Sequence, residues 1–109
     1  MNDPAPRRGE VWFADVQGDK RRPVLVLTRD PMGRYLRSVI CAPVTSRIRG
    51  LTTEVTVGAE AGLAHESVVN CDNTFLLGRV RLVRRLGMVD SVVLDAVCEA
   101  LAEAVGCNS

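Results

Sequence analysis

At 109 residues, 47% of them hydrophobic and 25% charged, the chain has room for one globular core, and its composition excludes disorder. No apolar run approaches the ~18 residues of a membrane span. The net charge of +1 hides an asymmetry: Leu86 to Ser109 holds Asp90, Asp95, Glu99 and Glu103 with no base, which leaves residues 1–85 at +5.

Every base except Lys20 is an arginine, whose planar fork of donors matches phosphate geometry. Either a polyanionic partner or GC-rich coding accounts for that preference. The start, Met1 to Arg8, lacks the apolar stretch of a secretory signal. It reads as a flexible lead-in (1–8) to a single domain (9–106) with a short tail (107–109). Cys41, Cys71, Cys98 and Cys107 include no Cys-x-x-Cys pair. They read as three small buried hydrophobes and one free thiol near the tail, in a reducing compartment.

In chain order, Gly9 precedes Glu10-Val11-Trp12-Phe13-Ala14-Asp15-Val16, a β-favouring stretch that ends at the turn-like Gln17-Gly18-Asp19. Trp12 and Phe13 face opposite ways, one toward the core and the other toward a dimer interface. Pro23 pushes Arg22 toward an extended conformation. Val24 to Thr28 is then a continuous apolar run, as expected of a buried strand. Asp30-Pro31-Met32-Gly33 marks a turn, with a short helical turn through Tyr35-Leu36. A third strand runs from Ser38 to Thr45, and its Pro43 implies an edge, a bulge or a bend. Thr53 to Val57 alternates with period two. Ser67 to Asp72 reads as a further strand, Asn73 to Gly78 as a turn or a single helical turn, and Val80 to Val89 as mostly extended, with a bulge at Gly87.

The period then changes. Val93, Leu94, Val97, Cys98, Leu101, Ala104 and Val105 recur at three- and four-residue steps, one face of a helix capped by Asp90 and stopped by Gly106. The expected class is therefore mainly β with α (α+β): a small SH3-like antiparallel barrel of five to six strands with a C-terminal helix packed on it. Such a scaffold serves many tasks, so function must be read from the site.

Four segments, in the same order, resemble a known family. Arg8-Gly9-Glu10-Val11-Trp12 is similar to the opening strand of MazF/PemK toxins, and Arg21-Arg22-Pro23-Val24-Leu25-Val26-Leu27 to their Arg-Pro-Val strand. Ala42-Pro43-Val44-Thr45-Ser46 resembles the family's Pro-apolar-Thr-Ser segment. Glu66 to Asn73 resembles its Asp-Ser-Val strand ending in an acid and an amide. Two features depart from the pattern. The loop from Gln17 to Arg21 is shorter than in many members, and His65-Glu66 stands where members often carry Arg-Asp.

The resemblance implies the MazF/CcdB/Kid-like fold and a cytoplasmic bacterial toxin of a type II toxin–antitoxin pair. It implies a homodimeric endoribonuclease that cuts single-stranded RNA without a metal or other cofactor and is silenced by an antitoxin. Arg22 and Thr45 are carried over as the catalytic pair, with the substrate's 2′-hydroxyl attacking the adjacent phosphorus. Arg21, Ser46, Arg47 and Asn73 are the expected RNA-binding residues.

Apart from the resemblance, Arg22 reads as a solvated strand flank and Thr45 as an ordinary strand residue. Arg79, Arg81, Arg84 and Arg85 read as one polar sheet face, and His65 as a surface loop residue rather than a base. The guanidinium is too basic to accept a proton, so its expected role is electrostatic; nothing in the sequence identifies the group that deprotonates the 2′-hydroxyl. Two rivals remain: a CcdB-type gyrase poison, disfavoured because its terminal Trp-Gly-Ile is missing here, and an inactive paralogue that only binds antitoxin.

Overall fold

The computed structural model describes residues 3–18 and 20–107. They form an antiparallel sheet of seven strands: β1 (Glu10–Gln17), β2 (Lys20–Val26), β3 (Ser38–Thr45), β4 (Glu54–Val57), β5 (Ser67–Asn70), β6 (Phe75–Gly78) and β7 (Leu82–Met88). One helix follows, α1 (Ser91–Ala104). The main path runs β4-β5-β3-β2-β1-β7, and β6 pairs with β3 off that path. The sheet stays open, with one strand more than the upper end of the five to six expected.

The apolar run of β2 explains why this strand lies at the centre. Val24 and Val26 enter one core cluster with Ala14, Val39, Cys41, Leu77 and Leu82, with Trp12 packed against it. Leu25 enters the other, with Val11, Ala42, Val44, Val69, Val97 and Ala100. Both faces of β2 are thus covered, as an unbroken apolar run requires. Each such fully buried Val or Leu contributes about 1.5–3 kcal/mol relative to exposure. The strand begins earlier than the apolar run, at Lys20, so Arg21 and Arg22 are held in its ladder.

Pro43 marks a bend: β3 pairs with β6 up to Cys41 and with β5 from Val44. Lacking an N–H, proline fits where one partner strand gives way to another. The bulge expected at Gly87 lies one residue earlier. Val11 faces Gly87 and Trp12 faces Arg85, which leaves Leu86 as the extra residue.

Two segments differ from the sequence reading. The stretch taken as a turn, Asn73 to Gly78, supplies β6, while β5 stops at Asn70 and Cys71–Asn73 form a short 3-10 turn. Cys98, expected to be buried, is exposed, whereas Cys41 and Cys71 are buried and Cys107 is exposed. The buried stripe of α1 centres on Val97 and Ala100. That leaves Cys98 at its margin, where the Arg8 guanidinium donates to its Sγ at 3.1 Å.

Asp90 caps α1 as expected, its carboxylate accepting from the Val93 amide at 3.0 Å. Gly106, at φ 79°, takes the left-handed conformation beyond the last turn. In the lead-in, Pro6 is buried, and the Arg7 and Arg8 amides donate to Glu10 and Asp30.

Candidate active site

A cleft of about 350 Å³ opens beside the ends of β2 and β3. The paired part of these strands stops just short of two polar residues. Val24 faces Pro43, Leu25 faces Ala42 and Val26 faces Cys41, and two positions beyond the Val24–Pro43 pair lie Arg22 in β2 and Thr45 in β3. Both line the cleft, together with Ser46. The Thr45 Oγ1 accepts from the Arg47 amide at 3.1 Å. That bond fixes the hydroxyl oxygen and leaves its proton free to donate.

The apolar part of the lining comes from Phe13, Pro23, Val44, Leu63 and Leu86. The loop between β4 and β5 adds His65 to the lining, the start of β5 adds Ser67 and β7 adds Arg84. Gly62 joins the loop to the strand. A Cβ there would lie 2.0 Å from the Leu86 carbonyl oxygen, and its φ is +81°, so only glycine fits. At the other end of the loop the Ser67 hydroxyl donates to the His65 carbonyl at 3.0 Å.

The four late arginines do not form one polar face. Arg85 bonds Glu10 at 2.8 Å. Arg79 donates to the Gly33 and Arg34 carbonyls and pairs with Asp3. Arg84 faces Phe13 across the β1–β7 ladder, its guanidinium 6.0 Å from the ring centre, and it lines the cleft. Among the described residues neither Arg22 nor Arg84 has an acidic partner, and no carboxylate lines the cleft. Two arginines thus share a carboxylate-free hollow, a setting that attracts phosphate.

The other expected RNA contacts stand apart from this lining. Arg21 is exposed opposite Asp15 of β1, Arg47 is exposed beyond Ser46, and Asn73 is exposed in the 3-10 turn after β5. Conversely, the sequence reading passed over Phe13, Ser67, His65 and Arg84 as parts of a site. Among the described residues no cluster of three or more His, Cys, Asp or Glu side chains is placed to hold a metal ion, and no helix is long and apolar enough to cross a membrane.

Residues 7–105 match the family described as PemK-like, MazF-like toxin of type II toxin-antitoxin system. The chain belongs to the PemK/MazF toxin family. The chain is 40% identical over 105 residues to the probable endoribonuclease MazF5 of Mycobacterium tuberculosis, covering 94% of this chain and 95% of that one. Among solved structures it is similar to the M. tuberculosis toxin MazF-mt6, with a TM-score of 0.82 and 41% identity over 89% of this chain and 96% of the other. A mycobacterial endoribonuclease in complex with its cognate antitoxin gives a TM-score of 0.85 at 30% identity, covering 96% and 99%. The open seven-stranded sheet with one terminal helix is the PemK/MazF fold.

Proposed function

We propose that this PemK/MazF chain is the toxin of a type II toxin–antitoxin pair. In this reading it is an endoribonuclease that cleaves single-stranded RNA through Arg22 and Thr45, without a metal cofactor. The observation that carries the reading is that Arg22 and Thr45 line one cationic, carboxylate-free cleft. As the substrate's 2′-oxygen attacks phosphorus, negative charge gathers on the phosphorane oxygens. The Arg22 guanidinium at the cleft stabilises that charge as it develops. The Thr45 hydroxyl donates to the same phosphate and orients it for in-line displacement. Arg84, stacked near Phe13, adds a second cation for a neighbouring phosphate, and Ser46 lies at the same rim. Arg21, Arg47 and Asn73 extend the RNA track beyond the cleft, where backbone contacts need only charge and amide donors.

The similarity to a toxin solved with its cognate antitoxin supports an antitoxin partner here. An acidic antitoxin segment suits the positive charge of residues 1–85. A homodimer is supported by the apolar patch at Ile40 and Leu76, which face each other across β3 and β6. They are 49% and 69% exposed, a burden that a second copy would relieve. The cytoplasm, where RNA is plentiful, is the proposed location.

The test uses two oligonucleotides of one sequence, all-ribose and with a single 2′-deoxy sugar at the mapped cut. In EDTA the first should give a 2′,3′-cyclic phosphate and a 5′-hydroxyl end, and the second should stay whole. Cleavage of the deoxy substrate would remove the 2′-hydroxyl from the mechanism.

A further inference from the structure

We infer that His65 is the group that accepts the 2′-hydroxyl proton, an assignment that rests on the ribonuclease reading of the same cleft. The attack needs a base, and neither central residue is one. A guanidinium stays charged at all accessible pH values, and a threonine hydroxyl is a poor acceptor of a full proton. The cleft narrows the choice. Its polar side chains are Arg22, Thr45, Ser46, His65, Ser67 and Arg84. No Asp, Glu, Cys, Lys or Tyr lines it, so His65 is the one lining side chain whose neutral form offers a nitrogen lone pair to an incoming proton. It is also the only histidine in the chain.

Position supports the assignment as much as chemistry does. The loop that carries His65 is pinned at both ends. Gly62 lies against the β7 backbone at Leu86, and the buried Ser67 hydroxyl grips the His65 carbonyl. The loop is therefore held between β7, which supplies Arg84, and β5, which pairs with β3 beside Thr45. The imidazole itself is exposed to solvent, so it can meet a substrate that arrives from solution. The charged groups that line the cleft with it are Arg84 from β7 and Arg22 from β2, and Glu66 adjoins it in the chain.

The step balances as follows. The 2′-oxygen forms a bond to phosphorus while its proton passes to a neutral imidazole nitrogen. The bond from phosphorus to the 5′-oxygen breaks, and that oxygen takes a proton from water. The imidazolium then returns its proton to the hydroxide so formed. Nothing is oxidised or reduced, and no co-reactant beyond water is consumed. Arg22 and Thr45 stabilise the phosphorane, while His65 drives the proton transfer.

The experiment compares wild type, His65→Gln and His65→Ala in single-turnover cleavage of one RNA in EDTA, from about pH 5 to about pH 8. Loss of a general base slows a reaction by about 100- to 10,000-fold. Both variants should fall in that range and lose the acid limb of the wild-type profile. Their affinity for the uncleavable 2′-deoxy substrate should not change. Added free imidazole should restore part of the rate to His65→Ala alone, since only that side chain leaves room for it. A His65→Gln enzyme within a few-fold of wild type with the same acid limb would overturn the assignment, as would a loss explained wholly by weaker binding. A wild type that leaves every RNA intact would overturn the ribonuclease reading and this inference together, whereas an active wild type with indifferent variants overturns this inference alone.

Discussion

Glu10 offers the sharpest test of how the sheet is held. Its carboxylate is only 7% exposed and is satisfied from three directions. Oε1 accepts from the Arg7 amide at 2.7 Å and from the Trp12 Nε1 at 3.1 Å, and Oε2 accepts from the Arg85 Nε at 2.8 Å. One residue thus ties the lead-in, β1 and β7 together. Glu10→Ala removes all three bonds. The Arg7 and Trp12 bonds, made to a buried carboxylate, contribute about 1.5 kcal/mol each, the low end for a charged acceptor. The Arg85 side chain is 49% exposed, so solvent screening reduces its share to under ~1 kcal/mol.

The expected total is about 3 kcal/mol, a fall in Tm of about 10–15 °C for a domain of this size. Urea and thermal melts at fixed protein concentration measure it, since a dimer's stability depends on concentration. Glu10→Gln keeps an oxygen for the Arg7 and Trp12 donors and should cost only about 1 kcal/mol. An alanine variant within about 0.5 kcal/mol of wild type would refute the reasoning, because surface changes of no structural consequence fall in that range.

Two further predictions concern packing and pH. A Cβ at Gly87 would lie 2.5 Å from the backbone carbon and oxygen of Ala61, so Gly87→Ala must push the cleft loop off β7. The expected cost is about 1–3 kcal/mol, read by urea melts, with RNA cleavage reduced beyond what the unfolded fraction explains; an unchanged melt would contradict the contact. Burial pushes the Cys41 thiol up to about 12. Burial also pushes the Cys71 thiol up to about 11, with smaller contributions from Asp72 and Cys98. The folded chain keeps these protons where the unfolded chain, with thiols at 9.0, releases them. The resulting stability is complete below about pH 9 and drains away as pH rises toward the folded values. Urea melts across that window should show the decline, and Cys41→Ala should flatten it; an equal slope in the variant would exclude Cys41 as its source.

Local pattern carried much of the fold into view. The buried run of β2, the range of β3 from Ser38 to Thr45 and the Asp90 cap follow from apolar spacing and capping chemistry within a few residues. What escaped depends on distant partners. In β6 three apolar residues in a row, Phe75-Leu76-Leu77, hide the alternation of a strand. Leu76 is exposed and Leu77 buried only because β3 pairs beside them. Cys98 sits on the apolar period of α1 but at the margin of the stripe that the sheet covers.

The site divides in the same way. Arg22 and Thr45 follow from short motifs on β2 and β3, adjacent strands whose ends both reach the cleft. Arg84 and Arg85 are neighbours in sequence, yet one enters the cleft and the other pairs with Glu10, a distinction set by the register of β7 against β1. His65 and Arg84 line one cleft while Gly62 lets the loop backbone press against β7 at Leu86, and nothing near either residue in the sequence announces it.

The most direct test of the catalytic claim is incubation of the purified chain and of Arg22→Ala with a long single-stranded RNA in EDTA. Wild type should give discrete fragments with 5′-hydroxyl ends, and the variant should be slower by about 100- to 1000-fold, the usual cost of removing a preorganised charge stabiliser. Equal cleavage by the two proteins would contradict the role given to Arg22, and intact RNA with both would contradict the nuclease itself.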